Sequence, residues 1–292
     1  MLKVEWPPIR DTFLPDPGWV LFDMDLAGAD AQVVAWEAND EDLKAAFRAG
    51  LKIHVHNGIA MYGRDVMYAT DPKGKSEPVY TRVKRGVHLT NYGGMVSTLA
   101  SKCAMSIGEA TKFQYDWFSL HPGIVDWHER TEFEIQTKGE TSNKFGYSVP
   151  WNDRPSKRIW RQALAWTPQS TIAHVTEEAM LRLWAERETN PHFRKYLKIV
   201  MNVHDSLIIS VKREYIPAVM PRVFELLHSI VIPYDDPLTI PWGVKRGATS
   251  WGKAKETTWE EILNESTEIG RNTEGVAEAK VPGLDRSLHP VH

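Results

Sequence analysis

Two apolar stretches of the chain predict β-structure. Residues 19–24 are almost entirely apolar over a length that is typical of a buried strand. The second stretch, residues 197–212, divides at a polar turn formed by His204-Asp205-Ser206. After this turn, apolar side chains recur at every second position up to Val211, which favours the second strand of a hairpin.

Most of the remaining pattern predicts helices. The first predicted helix begins with residues 29–36. The second helix has an N-cap and an acidic first turn in Asn39-Asp40-Glu41-Asp42, and it ends at Gly50. Further helices are predicted over 82–92, over 108–134 as a pair divided at Pro122-Gly123, over 169–187 and over 214–230. Loop structure is predicted over 62–81, and a loop or hairpin over 138–157. A strand, a helical insert, a hairpin and a helix, in this order, indicate an α+β fold.

Composition narrows the class of protein. The chain has 292 residues, 42% of them hydrophobic, and a net charge of −3, which argues against a protein that coats nucleic acid nonspecifically. Neither a signal peptide nor a membrane span is recognisable, and we expect a cytoplasmic protein without a membrane partner. The single cysteine, Cys103, cannot form an internal disulfide and is expected to be a buried apolar side chain. Local basic segments at 73–85 and 154–161 are compatible with solvated faces or with a groove for an anion.

Candidate chemistry lies at the ends of the predicted strands. Asp25 follows the first strand and Asp205 lies in the hairpin turn. A carboxylate at such a position is costly without a partner, and two metal ions held by carboxylates are the usual device for phosphoryl transfer. Taken alone, an aspartate at either position is more often a cap or turn residue than a metal ligand. His54 and His56 would share one face of a strand, but packing is the favoured interpretation there, as it is for His128 and His174.

The segments that carry these residues resemble the family A DNA polymerases, the DNA polymerase I family, and most closely its phage branch. Residues 25–36 are similar to the first metal-binding motif, and 47–54 to the FRAGxDIH segment that follows it. Residues 84–93 resemble the nucleotide-binding helix in its form K-x3-H-x3-Y-G. Residues 161–171 resemble a DNA-contacting helix, and 203–206 the second metal motif, V-H-D-E. The resemblance covers roughly residues 8–256.

This resemblance implies a polymerase palm, an antiparallel sheet with helices, into which a helical fingers region is inserted. The expected divisions are palm over 1–36, fingers over 37–150, palm over 151–256, and a polar, disordered tail over 257–292. Because the first metal motif comes so early in the chain, we expect no thumb or exonuclease domain here. A separate chain that supplies the thumb and a 3′–5′ exonuclease is the expected protein partner, which would make this chain one half of a split polymerase.

The implied activity is DNA-directed DNA synthesis, in which a dNTP extends the 3′-hydroxyl of a primer–template. Two Mg²⁺ ions would be held by Asp25, Asp205 and the backbone carbonyl of Leu26, and Lys84 would assist catalysis at the triphosphate. The implied nucleotide-binding residues are Lys84, His88, Tyr92, Asp30, Arg82 and Leu26. The implied DNA-binding residues are Arg161, Gln169, His204 and Gly93. Asp30 occupies the acidic position that helps to exclude a ribose 2′-hydroxyl.

Three positions depart from the family pattern. Ser206 stands where a second acidic residue is usual, Tyr80 where an arginine is common, and Leu26 where a tyrosine is usual. The first two keep open an alternative in which the chain is a catalytically silent, polymerase-like nucleic-acid-binding subunit. An unrelated two-metal nuclease or phosphatase is a further alternative, but it does not explain the helix with Lys84, His88 and Tyr92.

Overall fold

A five-stranded antiparallel sheet forms the centre of the protein. The computed structural model describes residues 8–67 and 79–265. Its strands are β1 (Trp19–Leu26), β2 (Glu140–Ser142), β3 (Ser148–Pro150), β4 (Leu197–Val203), β5 (Ser206–Lys212), β6 (Trp242–Gly247) and β7 (Lys255–Thr257). The large sheet has the order β4-β5-β1-β6-β7, and β2 pairs with β3 in a separate hairpin. Strand β1 therefore lies in the middle, between two strands that come much later in the chain.

Eleven named helices surround the sheet in the described residues. They are α1 (Ala29–Glu37), α2 (Glu41–Arg48), α3 (Ile53–Tyr62), α4 (Arg64–Met67), α5 (Val79–Asn91), α6 (Val96–Cys103), α7 (Ile107–Leu120), α8 (Pro122–Thr137), α9 (Lys157–Thr189), α10 (Pro191–Tyr196) and α11 (Ile216–His228). Two 3-10 helices occupy Ile9–Thr12 and Arg213–Tyr215, and residues 259–265 are helical. None of the helices in the described residues combines the length and the apolar composition needed to cross a bilayer.

The two faces of β1 have different environments. Val20, Phe22 and Met24 are fully buried and join the main core, which the surrounding helices complete. The alternate positions Leu21, Asp23 and Asp25 point to the opposite side, because successive side chains of a strand face opposite ways. We call this second side of the sheet the acidic face.

Local sequence signals explain where several helices begin. Asp40 caps α2 by accepting a hydrogen bond from the Leu43 amide at 2.9 Å, as predicted. Pro122 occupies the first turn of α8, where its missing N–H costs nothing, so the predicted break between two helices is confirmed. The 33 residues of α9 span roughly 50 Å, and α9 packs against α8 near its start and against β4 and α11 further along.

The structure corrects four of the expectations. The predicted loop over 62–81 contains the short helix α4, and α5 already includes residues 79–81, while 68–78 lie outside the described residues. His54 and His56 lie on a helix and do not share a strand face. Helix α9 begins at Lys157, well before the expected residue 169. Packed structure continues beyond residue 256, because β7 ends at Thr257 and Ile262 is fully buried; residues 266–292 lie outside the described residues.

Other expectations are confirmed. Residues 138–157 contain the β2–β3 hairpin, and 197–212 form the hairpin of β4 and β5. Cys103 is buried, and His128 is a packed side chain whose Nε2 bonds the Asn91 carbonyl oxygen at 2.7 Å. Within the described residues, no three His, Cys, Asp or Glu side chains form a group that could hold a metal by themselves.

Candidate active site

Strand pairing brings the two predicted aspartates together. Asp25 lies opposite Ser206 in the β1–β5 register, and the Leu26 amide donates to the Asp205 carbonyl oxygen at 3.1 Å. His204, with φ of 59°, makes the tight turn that places Asp205 between β4 and β5. The Asp25 and Asp205 carboxyl groups are within hydrogen-bonding reach of one another. Asp25 and Asp205, which are far apart in the sequence, therefore form one site.

The electrostatics of this pair fit a divalent cation. Burial, followed by the negative charge of Asp205, raises the pKa of Asp25 to about 6. Two carboxylates that repel each other in this way are stabilised by a cation between them, and hard oxygen donors suit Mg²⁺. Because the protein contributes two carboxylates here and no larger cluster, coordination positions remain for water or phosphate oxygens.

Helix α5 presents a polar face that is tied to α1. Lys84 and His88 are exposed one turn apart, and Tyr92 follows one turn later, directly after the helix. The Tyr92 hydroxyl donates to Asp30 Oδ1, and His88 Nδ1 lies 3.2 Å from Asp30 Oδ2. Burial and the Asp30 charge raise the pKa of Tyr92, so its hydroxyl remains a donor. Asp30 thus links the two helices next to the strand that carries Asp25.

His54 on α3 joins this face, although only a packing role was predicted for it. Burial, together with the positive charges of Lys84 and His88, lowers the pKa of His54 to about 4. Its Nδ1 is buried and has no hydrogen-bond partner among the described residues, and its ring packs edge-on against Tyr80. A neutral imidazole here adds no second positive charge beside Lys84.

Comparison with known proteins decides the family. The sequence model of DNA polymerase family A matches residues 3–253. The chain belongs to DNA polymerase family A. Among its curated family A relatives, the thermostable DNA polymerase I of Thermus filiformis is 27% identical over 259 residues, covering 85% of this chain and 29% of the relative. The DNA polymerase of Mycobacterium phage D29 is 28% identical over 206 residues, covering 70% of this chain and 31% of the relative.

The family A fold is also found in a solved structure. The POL domain of Pol1 from M. smegmatis, in complex with DNA primer-template and dNTP, matches with a TM-score of 0.72 and 22% identity. The match covers 84% of this chain and 42% of that one. This likeness confirms the expected architecture, a polymerase sheet with helices. The chain spans less than a third of the length of these curated relatives.

Two of the predicted nucleotide ligands of this family A chain make other contacts in the structure. Arg82 donates to the Ala104 carbonyl oxygen at 3.1 Å, on the side of α5 that packs towards α6, and nucleotide binding by Arg82 stays a prediction. The side chain of Leu26 is 2% exposed and belongs to the core. Since this excludes a side-chain contact with a nucleotide, only the backbone of Leu26 remains available to the site.

The four predicted DNA contacts lie on exposed or structurally constrained positions. Gln169 is exposed and Arg161 is partly exposed on α9, while the His204 side chain is 75% exposed at the hairpin turn. Gly93 has φ of +66°, and a Cβ there would overlap the Trp160 ring, so this glycine lets the end of α5 pack against α9. Contact with DNA stays a prediction for all four residues.

The acidic face contains further residues that the sequence reasoning missed. Asp23 is 5% exposed, and its Oδ2 accepts a hydrogen bond from Trp251 Nε1 at 2.8 Å. Trp251 in turn lies under the Arg10 guanidinium, 4.5 Å from the ring centroid. Lys245 on β6 is opposite Asp23. The spacing of Asp23 and Asp25, two residues apart on one strand, could have placed Asp23 on this face, whereas no pattern indicated Trp251 or Lys245.

Proposed function

We propose that this chain catalyses template-directed transfer of a nucleotidyl group from a dNTP to the 3′-hydroxyl of a DNA primer. The observation that carries the proposal is the meeting of Asp25 and Asp205 at one end of the acidic face, next to the α1–α5 pair that carries Asp30 and Lys84. Membership of DNA polymerase family A supports the same activity. The departure at Ser206 does not alter this geometry, since Ser206 is buried and bonds the Val203 carbonyl oxygen within the turn.

Asp25 and Asp205 would hold two Mg²⁺ ions, with the Leu26 carbonyl as a further oxygen ligand. When bound, these ions lower the pKa of the primer hydroxyl and neutralise the charge of the triphosphate and pyrophosphate. The carboxylates themselves fix the position of the cations at the end of β1, because the β1–β5 hydrogen bonds hold both side chains on one rigid sheet.

Lys84 would bind the triphosphate as an exposed cation, and it could supply a proton to the leaving pyrophosphate. His54 lies beside it, and the low pKa keeps this imidazole neutral at physiological pH, so it adds no second positive charge next to Lys84. Because its Nδ1 is buried, Lys84 would be the residue that meets the phosphate oxygens.

Asp30, Tyr92 and His88 would form the part of the pocket that meets the sugar and base. Their mutual contacts bring three side chains together in a space next to Asp25. A carboxylate and a ring in this position leave little room for an additional hydroxyl, which would favour a deoxyribose. Helix α5 would act as part of a lid over the correct base pair.

DNA would be held by Arg161, Gln169, His204 and the backbone at Gly93, with the fingers formed by residues 37–150. A palm and fingers with a net charge of −3 hold a phosphate backbone weakly, because affinity depends largely on cations along the duplex. We therefore infer that a separate chain with a thumb and a 3′–5′ exonuclease completes the polymerase. Alone, this chain should add few nucleotides in each binding event, and processive synthesis by the purified chain would refute the split arrangement.

The test of catalysis is single-nucleotide incorporation on a labelled primer–template, with enzyme in excess and Mg²⁺ present. We expect Asp205→Ala to lower the rate by roughly a thousandfold or more, since it removes half of the carboxylate pair. Asp153→Ala is the matched control, because Asp153 is exposed and pairs with Arg158 on the surface. If Asp205→Ala extended the primer at the control rate while remaining folded by circular dichroism, the chain would not be the catalyst.

A further inference from the structure

Strand β6 contributes a row of alternating glycine and lysine residues to the acidic face. In the β1–β6 register, Gly243 is opposite Asp25, Lys245 opposite Asp23, and Gly247 opposite Leu21. Directly paired residues of an antiparallel sheet point to the same side. This row on the acidic face therefore consists of two glycines with one lysine between them. Gly243 is exposed, and a Cβ added there would make no contact closer than 3.5 Å. The space beside Asp25 is therefore open to a ligand.

Lys245 is close enough to act on the carboxylate pair. It is the diagonal neighbour of Asp25, and such positions lie roughly 7 Å apart. Its positive charge lowers the pKa of Asp25, against the larger effects of burial and of Asp205. Lys245 also faces Glu256 across the β6–β7 pair, so carboxylates lie on both neighbouring strands.

Even so, the Lys245 ammonium group forms no ion pair within the described residues. Among residues 8–67 and 79–265, no carboxylate oxygen lies within 4 Å of its Nζ, although Asp23 is directly opposite. Asp23 instead bonds Trp251. Lys245 is partly buried, which limits the positions that its head group can reach.

The acidic face carries several carboxylates, so a cation beside them would favour the approach of a phosphate. Asp23, Asp25 and Asp205 would repel any phosphate that approached the candidate active site. A lysine on a flexible four-carbon stem, next to the exposed backbone of Gly243, suits a phosphate oxygen. We propose that Lys245 binds a phosphate group beside Asp25, so that β6 provides a phosphate subsite of the candidate active site. The subsite deepens the proposed function and rests on it.

Two sources of phosphate share this chemistry: the backbone of the primer strand, and the polyphosphate of the dNTP or the released pyrophosphate. The first experiment measures binding of a fluorescein-labelled primer–template by anisotropy, in EDTA, between 50 and 200 mM NaCl. If the primer backbone is the ligand, Lys245→Gln should reduce the slope of log affinity against log salt by about 0.9. The wild-type affinity would then fall about threefold more than that of the variant over this range.

The second experiment measures the KM for dNTP and inhibition by pyrophosphate in single-nucleotide incorporation. If the polyphosphate is the ligand, Lys245→Gln should raise the KM and the pyrophosphate inhibition constant roughly tenfold with the salt slope unchanged. Lys255→Gln is the matched control, since Lys255 is an exposed lysine on β7 and pairs with Arg246 on the opposite face. Lys245→Arg should restore most of the lost function, because it keeps the charge.

The proposal is overturned if Lys245→Gln matches Lys255→Gln in salt slope, KM and pyrophosphate inhibition. The anisotropy experiment involves no turnover. A wild-type chain that bound the duplex but did not extend it would therefore refute the polymerase proposal and still give a result for Lys245. Thermal unfolding of each variant verifies that a lost signal does not come from a lost fold.

Discussion

Removing the Asp25 carboxylate should make the metal-free protein more stable. Burial and the Asp205 charge hold the Asp25 pKa at about 6, compared with an ordinary value of 3.8. Because the folded protein binds this proton more tightly than the unfolded chain does, folding loses stability as the pH rises from 3.8 to 6. The loss is complete above pH 6, where Asp25 is charged in both states. Asp25→Asn removes the charge and with it this loss.

The magnitude follows from the pKa. A rise from 3.8 to about 6 corresponds to roughly 3 kcal/mol of unfolding free energy in a fully shielded site. Asp25 is only half-buried, so solvent screening reduces the effect to about 1 kcal/mol. For a chain of this size, this gain should raise the Tm by about 2–4 °C at pH 7.5. At pH 4 the carboxyl group of the folded protein is largely protonated, and the gain should disappear.

The assay is thermal unfolding of the full chain in EDTA at pH 7.5 and at pH 4, with Asp153→Asn as the control for a general charge effect. Adding Mg²⁺ at pH 7.5 should stabilise the wild type more than Asp25→Asn, because the variant lacks a metal ligand. Equal Tm values at pH 7.5, or the same gain at both pH values, would show that repulsion within the Asp25–Asp205 pair does not limit stability.

Three further changes test other contacts. Trp251→Phe should lower the unfolding free energy by about 2 kcal/mol in urea titration, because it leaves the buried Asp23 carboxylate without its donor; purely additive effects of Trp251→Phe and Asp23→Asn would contradict this coupling. Gly93→Ala should cost at least about 2 kcal/mol, since a Cβ at positive φ meets the Trp160 ring, and an unchanged midpoint would exclude this packing. Asp30→Ala should lower the preference for dNTP over NTP, measured as a ratio of kcat/KM, by at least roughly tenfold; an unchanged ratio would remove Asp30 from sugar selection.

Much of the fold could be predicted because its signals are local. The strand at residues 19–24, the Asp40 cap, the break at Pro122 and the β4–β5 hairpin all depend on neighbouring residues. Strand β6 gave no such signal, because Gly243 and Gly247 interrupt its apolar pattern, and its pairing with β1 and β7 keeps it extended. Helix α9 was underestimated for a related reason, since Pro168 lies inside it and appeared to favour a start after that residue.

The site could be predicted only in part. The spacing of Lys84, His88 and Tyr92 at helical intervals identified one face, and the structure unites two of these residues with Asp30. Charge alone does not show which side of α5 a residue occupies, and the structure places the Arg82 guanidinium against the Ala104 carbonyl oxygen. Lys245 reaches the site through pairing between distant strands, which no short pattern in the sequence records.

The position of β1 between two late strands has a consequence for synthesis on the ribosome. Its partners, Ser206 on one side and Gly247 on the other, are translated roughly 200 residues after it, which at 5–20 residues per second is a delay of about 10–40 s. During this time the apolar segment around Phe22 has neither neighbour and is open to nonspecific association. Contacts so distant in sequence also make folding slow, and Asp25 meets Asp205 only when nearly three quarters of the chain exists. In a nascent chain that ends before Gly247, β1 would lack its complete β6 partner along one of its two edges.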